Sequence, residues 1–201
     1  MNLKRASLLI IVLIVLDQAL KIWVKTNMHL EETITVIPDW FRLRFVENNG
    51  AAFGMQIPAT GAFDWGKLLL SLLRIGLVAA LIWYLRRIRR QKAPAGVIAG
   101  ISLIIAGAIG NIIDCALYGV LFSVSTPAAI AHFGDGYAPF MMGRVVDMLY
   151  FPLFRWGSCP SWLDFLVDSH GYFFGPIFNL ADSYISVAVV YLLFLQYKFF
   201  K

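Results

Sequence analysis

Charge is what this sequence has least of. Only 14% of its 201 residues are charged and 60% are hydrophobic, whereas a soluble domain carries roughly a quarter of charged residues. A water-facing globule is excluded, and a bilayer is the solvent that suits such a chain. Cysteine is nearly absent: Cys115 and Cys159 are too few for a disulfide framework. The histidines His29, His132 and His170 stand far apart without ligand spacing, so a zinc site is not indicated and neither metal nor cofactor is expected. Internal repeats, low-complexity tracts and a Gly-x-Ser-x-Gly turn are all missing. Asp168, Ser169 and His170 are sequence neighbours and cannot form a triad by themselves, so serine hydrolase chemistry falls away. Acidic residues are outnumbered, 12 against 17 Lys and Arg, for a net charge of +5. In an apolar chain that excess reports membrane topology rather than a nucleic-acid partner.

Long apolar runs are what the sequence has in abundance. Four spans stand out, at about 6 to 24, 68 to 85, 94 to 113 and 177 to 196, each near the ~20 residues that carry a helix across ~30 Å of hydrocarbon. The first follows Lys4 and Arg5 but holds Asp17 and Lys21 and lacks a small-residue cleavage site, so it is not a removable signal peptide. Between spans two and three lies Arg86-Arg87-Ile88-Arg89-Arg90-Gln91-Lys92, and the chain ends with Lys198 and Lys201. By the positive-inside rule these basic segments and both termini are cytoplasmic, with the loops at about 25 to 67 and 114 to 176 outside and 86 to 93 inside. The expectation is one membrane domain over 1 to 201: an all-α membrane protein with four transmembrane helices, a small extracytoplasmic β element and a surface-lying aromatic loop region.

The β element is read from the first outer loop. Phe41, Leu43 and Phe45 alternate with Arg42 and Arg44, the period of a half-buried strand. That strand runs into Glu47-Asn48-Asn49-Gly50-Ala51-Ala52-Phe53, an Asn-Gly turn signal followed by small residues that let backbone approach closely. The second outer loop is rich in aromatics, among them Tyr150, Phe151, Phe154, Trp156, Trp162, Phe165, Tyr172, Phe173 and Phe174. Such side chains settle at headgroup level, which places much of this loop on the membrane surface.

Polar residues inside spans carry most weight, because a charge near the bilayer centre costs about 2.5 to 3.5 kcal/mol on insertion scales. Asp17 and Lys21 share a helical face at i, i+4. Arg74 lies at nearly the same depth as Asp17, within ~2 Å at 1.5 Å per residue, and an Asp17 to Arg74 ion pair is expected. Span three offers Gly96 and Gly100 in small-xxx-small spacing for close helix contact. At its outer end Gly107, Asn111 and Asp114 share a face, and in span four Asn179, Asp182 and Ser186 do the same. A third segment, Gly143 to Phe151, sets Asp147 in an apolar run. Carboxylates and amides from three segments thus converge at one depth.

Those residues carry a resemblance to signal peptidase II, the bacterial lipoprotein signal peptidase family, in order along most of the chain. Asp17-Gln18-Ala19-Leu20-Lys21 resembles the first motif, Asn48-Asn49-Gly50-Ala51 the Asn-x-Gly-Ala segment, and Gly110-Asn111-Ile112-Ile113-Asp114 the Gly-Asn-x-x-Asp motif. Val145-Val146-Asp147 and Phe178-Asn179-Leu180-Ala181-Asp182 are similar to the two segments that hold the catalytic aspartates. The resemblance implies an aspartic endopeptidase of the bacterial cytoplasmic membrane that removes the signal peptide from prolipoproteins, cutting before a diacylglyceryl cysteine at the outer face. Asp147 and Asp182 would be catalytic. Asn48, Gly50, Asn111, Asp114, Asn179 and Ala181 would bind substrate or support the pair, with Asp17, Lys21 and Arg74 structural. Substrate and membrane lipids are the implied partners, and a monomer is expected.

The departures are specific. The family usually follows Gly-Asn-x-x-Asp with Arg, where Cys115 stands here, and Arg144 is the candidate to take over that role. The segments 126 to 142 and 156 to 175 lengthen the connections and look like extra elements around the mouth of the site. Cys115 and Cys159 both fall in the outer loop, where an oxidising environment would permit a bridge. The rival from another class is a small transporter or proton-relay protein, since intramembrane Asp, Asn and Lys also mark ion pathways. Transporters tend to show repeats and polar residues at the midplane, and here the polar residues gather at one interface.

Overall fold

The computed structural model describes residues 1 to 49, 65 to 156, 160, 167, 171 to 173 and 175 to 199. Helix α1 spans Leu3–Asn27 and starts at Asn2, whose side chain accepts from Arg5 N at 2.9 Å. Helix α2 spans Trp65–Arg90 and α3 spans Ala95–Ile113. The last of these continues through a wide π turn, Asp114–Tyr118, into a short α4, Gly119–Leu121. Near the C-terminus α5 runs over Leu180–Leu195. Three helical stretches, α1, α2 and Ala95–Leu121, are long and apolar enough to cross a membrane. The expected fourth span is shorter than its 177 to 196, because Phe178 bridges to a strand and Asn179 caps the helix, leaving 16 residues in α5.

Glycines on α3 explain how closely the helices pack. A methyl group on Gly107 would run into the backbone oxygen of Ala181 on α5, and one on Gly100 would come within 2.7 Å of the Leu192 side chain. On Gly110 it would lie 2.6 Å from Asp17 Oδ2 of α1. The small residues therefore let α1 and α5 lie directly against α3, as small-residue stripes do in lipid where no hydrophobic force drives helices together.

Beyond the helix ends sits a three-stranded antiparallel sheet in the order β1 (Thr33–Ile37), β2 (Phe41–Asn48), β3 (Val145–Tyr150). Strand β2 follows the alternation read in the sequence and runs on to Asn48. Every residue of β3 is buried. Phe45, Phe122, Val146 and Met148 are fully buried and join Val24, Met28 and Tyr118 in one cluster, each such side chain worth ~2 kcal/mol. A bulge in β2 between Leu43 and Val46 brings Val46 opposite Asp147 and Asn48 opposite Val145. Two short strands, β4 (Phe154–Arg155) and β5 (Tyr172–Phe173), form a second pair.

One expectation changes here. Tyr150 is only 3% exposed and Phe151 stacks on Phe41 at 4.8 Å and Phe178 at 5.7 Å, so these two aromatics fill the sheet core rather than lie on the membrane. Phe154, Trp156 and Phe173 do cluster at the periphery, with Phe154 half exposed; Trp162, Phe165 and Phe174 lie outside the described residues. The segment 126 to 142 folds back on the end of α3. Gly143 N donates to Cys115 O at 2.8 Å and Met141 N to Ala116 O at 3.3 Å, satisfying carbonyls of the π turn. Most of 156 to 175 lies outside the described residues.

Candidate active site

The site is assembled from three elements that meet where the helices end. Asn179 is the N-cap of α5: its side chain accepts from Asp182 N at 2.9 Å, and the Asp182 carboxylate accepts from Asn179 N at 3.4 Å. This reciprocal capping places a carboxylate in the first turn of a helix, where the positive end of its dipole favours negative charge. The same Asn179 amide donates to Asp147 Oδ1 at 2.7 Å and to Asn111 Oδ1 at 3.1 Å. Asn111 in turn donates to Asp182 Oδ1 at 2.8 Å. One amide therefore touches both aspartates, and a second amide braces them.

Asp147 comes from β3 and is 5% exposed. Its other oxygen accepts from Asn48 Nδ2 at 3.3 Å, across the β2–β3 pairing. Burial raises its pKa, the neighbouring Asp182 raises it further, and the Asn179 and Asn48 bonds pull the other way, leaving it at about 7. A carboxyl that holds its proton to neutral pH next to a second carboxylate is the arrangement needed for acid and base work at one spot.

Beneath the two aspartates lies a buried ionic layer. Lys21 is fully buried and pairs with Asp17 Oδ2 at 3.0 Å and Asp114 Oδ2 at 2.8 Å, while donating to Asn111 Oδ1 at 3.0 Å. Asp17 Oδ1 accepts from Ala181 N at 2.9 Å. Asp114 also accepts from Gln18 at 2.9 Å and from Val146 N at 3.3 Å. It stands where α3 widens into the π turn, a distortion often found beside functional sites.

Of the residues singled out from the sequence, the structure brings together Asp17, Lys21, Asn48, Asn111, Asp114, Asp147, Asn179, Ala181 and Asp182. Arg74 is not among them. Asp17 takes Lys21 and Ala181 as partners, and Arg74 Nη1 instead lies 3.6 Å from Cys115 Sγ; the expected Asp17 to Arg74 pair does not form. Gly50 lies outside the described residues. Cys115 is a buried free thiol, which speaks against a bridge, and Cys159 lies outside the described residues. Arg144 binds Glu47 at 3.1 Å. Sequence reasoning missed Gln18, Lys25, Glu47 and Ser125. Gln18 follows Asp17 directly, Lys25 repeats the four-residue step from Lys21, and Glu47 precedes Asn48, so these three had a positional cue; Ser125 had none.

The family model described as Signal peptidase (SPase) II matches residues 9–198. The chain belongs to the signal peptidase II family. Among its relatives in that family is a lipoprotein signal peptidase of Porphyromonas gingivalis, 45% identical over 193 residues that cover 94% of this chain and 81% of the relative. Another, from Amoebophilus asiaticus, is 34% identical over 182 residues, 88% and 70% of the two chains. A bacterial membrane enzyme solved by the in meso method at 2.3 Å resolution shares the fold, with a TM-score of 0.63, 23% identity, and coverage of 98% of this chain and 89% of its own. Membership in the signal peptidase II family makes this chain an aspartic peptidase of lipoprotein processing and displaces the transporter reading. Its apolar helices fit a multi-pass membrane protein.

Proposed function

We propose that this signal peptidase II chain removes the signal peptide from prolipoproteins just before a diacylglyceryl cysteine, with Asp147 and Asp182 as the reacting pair. The observation that carries the assignment is the Asn179 amide, which bonds the Asp147 carboxyl while its carbonyl and backbone hold Asp182. With one carboxyl protonated and the other ionised, the ionised one takes a proton from water as the water oxygen bonds to the scissile carbonyl carbon. The protonated one hydrogen-bonds the carbonyl oxygen. Collapse of the tetrahedral adduct breaks the C–N bond, and the leaving amine takes up a proton from the pair. The pair titrates as a unit, so the mechanism assigns no fixed acid or base.

Asn48, Asn111, Asp114 and Ala181 support the pair, Gly50 and its neighbours contact substrate, and Asp17 and Lys21 are structural. The chain forms a single membrane domain of the bacterial inner membrane and works as a monomer. The basic ends of α1 and α2 are cytoplasmic, α5 completes a fourth crossing, and the site opens on the outer face. Membrane lipid and lipidated prolipoprotein are its partners. Purified chain in detergent, incubated with a diacylglyceryl prolipoprotein, should release the signal peptide. Asp147→Asn and Asp182→Asn should each lower that rate at least ~10²-fold to ~10⁴-fold, the range of acid–base catalysis. Undiminished cleavage by either folded variant overturns the assignment.

A further inference from the structure

The opposite end of the helices has its own chemistry. The last turns of α2 carry Arg86, Arg87 and Arg90, which with Trp83 and Gln91 line a cleft of about 510 Å³. The Arg87 guanidinium lies over the Trp83 ring, 5.4 Å from its centroid, and Trp83 is largely exposed. Among the described residues no carboxylate pairs with these three arginines: the buried acids there are taken by Lys21, Lys25 and Arg144 at the far end. Guanidiniums match phosphate oxygens in a fixed fork, and a Trp ring at a helix end settles at the membrane–water interface.

A second cavity, about 210 Å³, adjoins this cleft. It lies between three helices, lined by Leu3 and Ile10 of α1, Ile82 and Arg86 of α2, and Ile105 and Ile109 of α3. Arg86 lines both cavities, so a cationic cleft and an apolar groove meet at one side chain. Ile105 and Ile109 lie 10 and 14 residues beyond Ala95, or ~15 to ~21 Å into α3 at 1.5 Å per residue. One leaflet of a ~30 Å hydrocarbon core is ~15 Å deep, so the groove runs from the cleft to the bilayer midplane and a few ångströms beyond it.

We propose that cleft and groove together bind a phospholipid with an anionic headgroup, its phosphate among Arg86, Arg87 and Arg90 and one acyl chain in the groove. An anionic headgroup is favoured over a zwitterionic one because the cleft offers no acidic side chain to a headgroup amine. The arginine cleft lies at the opposite end of the helices from Asp147 and Asp182, and the proposal does not depend on their assignment. The test uses the full chain, delipidated in detergent, titrated with phosphatidylglycerol, phosphatidylcholine or inorganic phosphate, and read by native mass spectrometry. Phosphatidylglycerol should bind most tightly. Each arginine removed should weaken it about fivefold, and R86Q/R87Q/R90Q roughly a hundredfold. Ser7 of α1 also lines the groove, and Ser7→Phe, which keeps every charge but fills that space, should also weaken binding; thermal unfolding in detergent confirms that both variants are folded. Equal binding of phosphatidylcholine, retention of phosphatidylglycerol by the folded triple variant or by folded Ser7→Phe, or binding of inorganic phosphate as tight as that of the lipid overturns the proposal.

Discussion

Lys21 and Lys25 stand one turn apart on α1, both fully buried, yet each is held by a different set of partners and serves a different aspartate. Lys21 lies among helices: it joins Asp17 on its own helix to Asp114 on α3 and donates to Asn111, which holds Asp182. Lys25 lies between helix and sheet. It pairs with Glu47 of β2 and donates to Ser125 at 2.9 Å, while its ammonium faces the rings of Phe122 and Tyr137 at 5.5 and 5.1 Å. Glu47 directly precedes Asn48, which holds Asp147. The contrast teaches that two ionic clusters flank the carboxylates, one inside the helices and one at their exit, with Asn179 tying the two aspartates together between them. Tyr137 belongs to the segment 126 to 142, so this stretch helps to shield the second cluster; Arg144 also stacks on the same ring at 5.4 Å.

Removing the lysines one at a time tests that division. Lys21→Met should have the largest effect, a loss of ~3 to ~5 kcal/mol, because Asp17 and Asp114 would both stay buried without a cation; thermal unfolding in detergent measures it. Asp114→Asn on the same background should recover part of that loss. Lys25→Met should cost less, roughly 2 kcal/mol, since Arg144 and Ser125 still bind Glu47. It should also slow cleavage, as the end of β2 that carries Asn48 loosens. If Lys25→Met matches Lys21→Met in the unfolding experiment, the two clusters are not distinct.

A pH series gives a smaller effect with a definite sign. Asp147 holds its proton up to about 7 in the fold and to about 4 as an ordinary carboxyl. The folded chain binds the extra proton in that window, so the associated stability is complete below about pH 4 and is lost as pH rises through about 7. The loss is roughly 1 kcal/mol between pH 6 and pH 7. Unfolding curves for Asp147→Asn should lack this slope, and wild-type cleavage should decline on the alkaline side of the same range. Arg144→Ala comes last, at under ~1 kcal/mol, because its side chain is 36% exposed and water screens its bond to Glu47.

Much of the site was legible because its residues sit at helical or strand spacing that can be counted. Asn111 and Asp114 on α3, Asn179 and Asp182 at the start of α5, and the alternation in β2 all lie where those periods put them. The Asp17 to Arg74 pair failed for a physical reason: equal depth along two helices says nothing of azimuth, and Asp17 is claimed by Lys21 one turn away and by the backbone of Ala181. Lys25 and Glu47 had positional cues, but their pairing was illegible because the bonds of that cluster join residues 22 and 78 positions apart, from helix to strand and from strand to loop. The inward turn of Tyr150 and Phe151 was hidden for a related reason. An aromatic-rich loop reads alike whether its rings face lipid or stack beneath a sheet, and only the pairing of β3 with β2 decides it.

The capping of α5 by Asn179 bears on how such a chain can change over evolution. Strand and helix are fastened to each other at that residue by side-chain bonds, so the spacing of the two carboxylates is independent of the length of chain between them. The connections from Asp114 to Asp147 and from Asp147 to Asn179 are free to change in length, and new surface can be built around the opening of the site without recalibrating its chemistry.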